Sequence, residues 1–288
     1  MKNTIVKTLV YDKQVRLFFV DNTKLINDIF NQNNITDKVR KLIMGKAISI
    51  VSLISGTLKG DQRISFQITM SNPKHKVFAD ADANGNVRGF LSDELLSDPL
   101  NCSNNVSIKD LIDNNGNIRV IKGSAMNQFT GITDMPYRNI VDDISHYFIQ
   151  SEQVQTYLKA NIVLDNDDHL QISNAVYAQL LPGASPYLLD KVCKILSTNQ
   201  VFMNKLGGLS TDTLENRLRE LFGSAKVIGE SPVQFFCGCS KEMFYGMLHA
   251  LSENELKQAI NEKEPIDTVC QICGRTYSFN ESEIQSIL

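Results

Sequence analysis

Hydrophobic and polar residues alternate with two different periods along the first part of the chain, so we expect both helices and strands there. After Thr36-Asp37, apolar residues recur at three- and four-residue spacing, which predicts a helix that ends at Gly60. Strict alternation over residues 64–70 predicts a half-buried strand. Asn84-Gly85 lies between two apolar runs, which predicts a β-hairpin with a primed turn.

The same mixture continues to about residue 183. The pattern predicts a helix over residues 142–153 and strands over residues 158–164 and 170–179. The two strands are joined by a polar turn. Helices and strands in this order predict an α+β domain over residues 1–183, built on a mostly antiparallel sheet with packed helices.

From residue 184 to residue 230 the pattern predicts helices only, with Ser185-Pro186 at the start of the first and Thr211 or Asp212 at the start of the second. This helical linker is too short to form its own core, so we expect it to pack on a neighbouring domain. Its apolar stripe consists of Leu188, Leu189, Val192, Ile195, Leu196, Leu214, Leu218, Leu221 and Phe222.

Charge and hydropathy narrow the class of protein. The chain has 288 residues, with 29 Lys and Arg against 32 Asp and Glu, for a net charge of −3. This balance gives no electrostatic reason to bind nucleic acid or an anionic membrane. The first residues are too polar for a signal peptide, and no apolar stretch is long enough to span a bilayer. We therefore expect a cytoplasmic protein whose thiols stay reduced.

Four of the six cysteines cluster in residues 231–288, as Cys237-Gly238-Cys239 and Cys270-Gln271-Ile272-Cys273. Paired thiolates at such spacing are typical of a structural zinc site, because Zn²⁺ takes four ligands in a tetrahedron and favours sulfur. The sequence therefore predicts a small C-terminal module with zinc bound by Cys237, Cys239, Cys270 and Cys273. Four unconnected thiols, or a thioredoxin-like dithiol at Cys270 and Cys273, are the alternatives.

The charge of this module argues against a nucleic-acid zinc ribbon. Residues 231–288 contain 4 basic and 8 acidic residues, so a phosphate backbone would be repelled. The Cys-x-Cys spacing has a further consequence, because side chains at i and i+2 of an extended chain point to the same side, close to the reach of a disulfide. Each pair can therefore oxidise locally if zinc is lost, and the site can act as a switch as well as a structural element.

The cysteine motif, continued as Cys273-Gly274-Arg275 and then Tyr277-Ser278-Phe279, resembles the redox-regulated heat-shock chaperones of the 33 kDa chaperonin family. The resemblance covers essentially the whole chain. Two places depart from the family pattern: Asn174-Ala175 replaces a glycine pair, and residues 123–137 match poorly. The upstream motifs that share the resemblance are Leu58-Lys59-Gly60-Asp61-Gln62-Arg63, Val87-Arg88-Gly89-Phe90, Gln150-Ser151-Glu152-Gln153 and Gln179-Leu180-Leu181-Pro182-Gly183-Ala184.

The resemblance implies an ATP-independent holdase that is dormant when reduced and zinc-bound. In the family pattern, oxidation forms the disulfides Cys237–Cys239 and Cys270–Cys273, zinc is released, and the linker unfolds to expose apolar surface. The implied partners are unfolding client proteins, with a homodimer as an alternative state of the activated form, and with neither nucleic acid nor membrane. No catalytic motif supports an enzyme. The competing hypothesis is a constitutive zinc-containing interaction protein without a redox response.

Overall fold

The computed structural model describes residues 3–99 and 106–288. They form two compact units, which divide after Phe235. The first unit contains two β-sheets with helices packed on them, and the second, Phe236–Leu288, is much smaller. Among the described residues, no helix is both long enough and apolar enough to cross a bilayer. The predicted α+β class with mostly antiparallel sheets is confirmed.

One sheet of the first unit has five strands among the described residues, in the order β10-β1-β2-β9-β8, and every neighbouring pair is antiparallel. The alternation predicted at residues 158–164 and 170–179 corresponds to its two longest strands, which form a hairpin. Its strands are β1 (Thr4–Val10), β2 (Val15–Asp21), β8 (Thr156–Leu164), β9 (Leu170–Leu180) and β10 (Ala225–Pro232).

The other sheet has six strands among the described residues, in the order β11-β5-β4-β3-β6-β7. All its pairs are antiparallel except β11 with β5. The predicted hairpin at Asn84-Gly85 is confirmed, and Gly85 has a positive φ of 76° in the turn. Its strands are β3 (Arg63–Thr69), β4 (Lys76–Asp82), β5 (Asn86–Leu91), β6 (Asn117–Gly123), β7 (Gln128–Asp134) and β11 (Gln234–Phe235).

The main core of the first unit forms around α2 (Lys38–Ser55), which packs against strands of both sheets. The Asp37 side chain caps α2 as the sequence predicts, but the helix ends at Gly56 rather than Gly60. At this end the backbone hydrogen bonds change to the i→i−3 pattern, and the Thr57 hydroxyl also donates to the Ile54 carbonyl at 2.8 Å. The other helices of this core are α1 (Thr23–Gln32), α3 (Asp93–Ser97), α4 (Ile108–Ile112) and α5 (Ile140–Ser151).

The linker helices cover the opposite face of the five-stranded sheet. They are α6 (Tyr187–Thr198), α7 (Gln200–Lys205) with a 3-10 turn at Leu206–Gly208, and α8 (Thr211–Phe222). Their apolar stripe forms a second core with residues of β1, β2 and β9, and every member of the stripe is buried or half-buried there. The linker therefore has no core of its own and packs on the sheet, within the same compact unit.

The prediction that residues 184–230 are helical throughout is wrong at its end. Ala225–Pro232 form β10, an edge strand paired with β1 from Thr4↔Pro232 to Val10↔Ala225. The physical reason is that the free backbone N–H and C=O groups of β1 need a partner, which helical periodicity within the linker does not reveal. The first helix also starts later than predicted, since Pro186 is its cap residue and Ser185 makes no side-chain cap.

The second unit has a two-stranded antiparallel sheet and short helices around a small core. The cysteine pairs are separated by 30 residues, which is enough for two short helices, and two are present. Ser252 and Glu255 have the spacing that predicts a capping box at the second helix, and this box is formed. A second capping box, Asn280 with Glu283, starts the last helix. Its elements are α9 (Lys241–Leu248), α10 (Glu253–Glu262), β12 (Ile266–Val269), β13 (Thr276–Phe279) and α11 (Glu281–Gln285).

Candidate metal centre

The four predicted ligands come from two turns of the second unit. Cys237 and Cys239 immediately precede α9, and Cys270 and Cys273 lie in the turn between β12 and β13. Gly238 and Gly274 adopt positive φ values of 71° and 66°, which a glycine tolerates best. The Gly274 amide donates to the Cys270 carbonyl at 2.8 Å, so the turn folds back on its first cysteine.

The structure brings the four thiols together. Their Sγ atoms all lie within 4.8 Å of one another, and the Cys237–Cys270 and Cys239–Cys273 separations are 3.4 Å each. In a tetrahedral zinc site with Zn–S distances of about 2.3 Å, the sulfurs are about 3.8 Å apart. These separations, far longer than a disulfide bond of about 2.05 Å, fit a metal between four reduced thiols. The donor set is therefore suited to Zn²⁺.

The pKa values of the thiols bear on whether the cluster can ionise fully. Burial and the neighbouring Cys270 thiol raise the pKa of Cys237, and burial also raises the pKa of Cys273. Burial acts in the same direction on Cys239, but hydrogen bonds from Tyr277 and the Cys273 thiol outweigh it and lower its pKa to about 7. Full ionisation of the cluster is therefore unfavourable without a central cation, which is the condition that a bound divalent metal removes.

Tyr277 contacts the thiol cluster, and the motif analysis assigned it no role. It lies in β13 beside the second turn, and its Oη is 3.1 Å from the Cys239 Sγ. Its ring also stacks at a tilt on Phe244, with centroids 5.1 Å apart. The signal in the sequence is a hydroxylated aromatic residue four positions after the last cysteine, where the hairpin returns past the thiols.

A small hydrophobic core and one ion pair surround the thiols in the second unit. Cys270 is buried and belongs to the same core as Phe244, Leu248, Leu256, Phe279 and Ile284. Lys241 at the start of α9 forms an ion pair with Glu283 of α11 at 2.7 Å, which ties the two ends of the unit together. A core of this size is marginal by itself, so a metal bound by the four thiols would contribute much of the folding free energy.

The remaining cysteines are not part of the cluster or lie outside the described residues. Cys193 of α6 is half-buried in the linker core, and burial raises its pKa to about 11. Cys193 and Cys102 each stand alone in the sequence, where a cysteine is expected to be a small buried or partly buried thiol, and Cys193 agrees with this. A thiol with such a pKa is a poor nucleophile near neutral pH. The same expectation for Cys102 falls outside the described residues.

The fold and the thiol site together define a class: an α+β body of two mostly antiparallel sheets, followed by a small C-terminal module with four clustered cysteines. Comparison with known proteins gives the family. A family model described as "Hsp33 protein" matches residues 3–280. The chain belongs to the Hsp33 family, which confirms the resemblance stated from the motifs.

Individual relatives match this chain over nearly their whole length. The chain is 27% identical over 289 residues to the 33 kDa chaperonins of Staphylococcus aureus strains Newman and COL, covering 99% of this chain and 97% of theirs. Among solved structures, the crystal structure of the 33 kDa chaperonin (heat shock protein 33 homolog) from Thermotoga maritima is similar with a TM-score of 0.84 and 19% sequence identity. That match covers 99% of this chain and 97% of the other, and it establishes a common fold.

Proposed function

We propose that the protein is a redox-regulated, ATP-independent chaperone that holds unfolding client proteins. In the dormant form Cys237, Cys239, Cys270 and Cys273 are reduced and hold one zinc ion. Bound zinc would keep all four thiols deprotonated and cross-link the two turns of the second unit. The observation that carries the proposal is the gathering of these four thiols within 4.8 Å in a unit with little other core.

The linker supplies the surface for clients. Its apolar stripe is covered in the structure by β1, β2 and β9, so the same residues are unavailable while the linker is docked. Phe202 packs edge-on against Phe19 with ring centroids 5.9 Å apart, and Phe222 against Tyr11 at 5.5 Å. Undocking would expose leucine and phenylalanine side chains, which is the surface that an unfolding protein's own apolar segments bind.

The switch consists of two thiol oxidations. In each, two thiolates form one S–S bond and give two electrons to an oxidant such as hydrogen peroxide, which takes up two protons and leaves as two waters. Two peroxides therefore convert the four thiolates to the disulfides Cys237–Cys239 and Cys270–Cys273. Because disulfide sulfur is a poor ligand for Zn²⁺, the ion is lost, and the second unit loses its main cross-link.

The test is a client aggregation assay with reduced and oxidised protein. Light scattering of a thermally unfolding client should fall strongly with the peroxide-treated protein and little with the reduced protein. A colorimetric chelator should report zinc release during the same treatment. Release without any gain in activity would reject the switch.

The second candidate is a constitutive zinc-containing interaction module, which the separations between the two pairs favour: the contacts of 3.4 Å join Cys237 to Cys270 and Cys239 to Cys273, as in a structural cross-link. It predicts equal client suppression by the reduced and oxidised forms. Cytoplasmic location and a homodimer of the activated form remain expectations. Cell fractionation tests the first, and light scattering of the oxidised protein alone tests the second.

A further inference from the structure

The linker is held to the sheet by polar contacts as well as by its apolar stripe. Val176 and Ala178 of β9 face the linker core, and so does Asn174, the next residue with the same orientation. Asn174 is directly opposite Asp21 of β2 and Asn161 of β8. Residues in register on neighbouring strands share a face, so these three side chains form a polar row at the end of the apolar surface.

Each member of this row meets the segment around α7. The Asn174 Nδ2 donates to the Met203 carbonyl at 2.6 Å, and both residues are fully buried. Asn161 donates to the Asn204 Oδ1 at 3.0 Å and accepts from the Gln200 Nε2 at 2.9 Å. These contacts fix both the backbone and the side chains of the short helix.

Lys159 adds a fourth polar side chain to the row, and Asp21 makes the contact at its other end. The Lys159 ammonium, two residues before Asn161 on β8, donates to the Leu196 carbonyl in the last turn of α6 at 3.2 Å. At the other end, the Asp21 carboxylate lies against Gly207, where a Cβ would be 1.5 Å from the Asp21 Oδ2. A residue larger than glycine could not approach the carboxylate in this way.

The chemistry of the contacts is that of helix capping. The last four carbonyls of a helix lack an amide partner from the next turn, and the Leu196 carbonyl of α6 is one of them. The Lys159 ammonium bonds this carbonyl and places a positive charge where the dipole of α6 is negative. The Met203 carbonyl of α7 accepts from the Leu206 amide and takes a second hydrogen bond from Asn174. The ends of α6 and α7 therefore lose part of their capping when this segment leaves the sheet.

We propose that Asp21, Lys159, Asn161 and Asn174 form a polar clamp on residues 196–208, which controls the release of this segment separately from α8. As a regulatory element this rests on the proposed function, since it sets how readily the linker leaves the sheet in the reduced protein. The stripe of α8 packs on β1 and β10 instead, and within the described part of the chain no hydrogen bond joins α8 to the four clamp residues. Loss of the clamp should therefore release α7 first.

The Asn174→Asp variant is the sharpest test, because it keeps the shape of the side chain and replaces the amide donor by an acceptor. The new carboxylate would face the Met203 carbonyl and stand next to Asp21. Gln179→Glu is the matched control: it makes the same change on the same strand but on the other face, where Gln179 accepts from Arg16. Hydrogen exchange of the full-length, reduced, zinc-loaded protein is the readout.

We expect exchange in residues 196–208 to become about tenfold faster or more in Asn174→Asp, with residues 211–222 and the Gln179→Glu protein unchanged. Lys159→Met, which keeps the apolar stem at a half-buried position, should accelerate the end of α6 about two- to fivefold. If Asn174→Asp does not fold, exchange in Lys159→Met tests the clamp instead. Unchanged exchange, or equal acceleration of residues 196–208 and 211–222, would overturn the clamp.

The regulatory role has its own readout in the aggregation assay. Reduced Asn174→Asp, or reduced Lys159→Met if only that variant folds, should suppress client aggregation measurably better than the reduced wild type. If exchange is faster but the reduced variant is no more active, while oxidised wild type is active, the regulatory role is wrong. If oxidised wild type is also inactive, the proposed function fails, and the exchange data alone still decide whether the clamp exists.

Discussion

The Tyr277 hydroxyl lies 3.1 Å from the Cys239 Sγ and donates a hydrogen bond to this thiol, whose pKa is lowered to about 7. A hydrogen bond to a ligating sulfur disperses its negative charge and orients it, which is how groups around a metal site tune affinity. This hydrogen bond connects the β12–β13 hairpin to the thiol cluster, and that hairpin is the only strand pair among the described residues of the second unit.

Replacing Tyr277 by phenylalanine should weaken zinc retention. The ring can keep its contact with Phe244, so the variant removes only the hydroxyl from Cys239. We expect about a tenfold loss of zinc affinity, measured by competition with a chromogenic chelator. Tyr245→Phe is the control, because its hydroxyl bonds Ser286 at 2.6 Å instead of a thiol. Equal affinity in Tyr277→Phe and wild type would show that the bond has no role in metal binding.

Zinc content should depend on each of the four clustered cysteines and on no other described cysteine. Elemental analysis should give one zinc per reduced chain in the wild type. It should give a large loss in Cys237→Ser or Cys273→Ser, since a serine hydroxyl is a poor replacement for a thiolate at a Zn²⁺ site. Cys193→Ser, in the linker core, should keep the metal. Full zinc content in either of the first two variants would contradict the ligand set.

Removal of zinc should unfold the second unit and leave the sheets intact. Metal binding contributes on the order of 10 kcal/mol to the folding of a small zinc module, more than the few buried side chains around Phe279 can replace. A strong chelator under reducing conditions should therefore abolish amide protection in residues 241–285, while α2 and β9 stay protected. Retained protection in residues 241–285 of the zinc-free protein would mean that the unit folds without metal.

A charge placed in the linker core should activate the protein without oxidation. Leu218 of α8 is fully buried, so Leu218→Asp puts an unpaired carboxylate into the apolar contact and should disfavour docking by several kcal/mol. The reduced variant should then suppress client aggregation in the light-scattering assay. Asn216→Asp adds the same charge at an exposed position of the same helix and should stay dormant. Dormancy of folded Leu218→Asp would separate client binding from the linker.

Local rules predicted the elements whose signals lie close together in the sequence. The cap at Asp37, the capping box of Ser252 with Glu255, and the turn at Asn84-Gly85 each act within a few residues, and all three are present. The four-cysteine cluster was predicted for the same reason, since two short motifs already restrict how the thiols can meet. Their gathering within 4.8 Å follows the prediction, although the bound ion is still a proposal.

Features that depend on distant pairing were not predicted from the sequence. β2 is almost continuously apolar and buried, so it lacks the alternation that marks a half-exposed strand. β10 pairs with β1 at the other end of the chain, and its register follows from that partner. The polar row of Asp21, Asn161 and Asn174 exists only because three strands are in register, which no spacing along the chain reveals.

Hydrogen exchange of the full chain before and after peroxide treatment tests the central claim most directly. The account predicts that residues 187–222 and 241–285 lose protection on oxidation, in step with zinc release and with the gain of client binding, while α2 and the strands β2 to β9 keep theirs. Full protection of residues 187–222 in an oxidised, client-binding protein would contradict it, because the buried stripe of the linker would then not be the surface that clients reach.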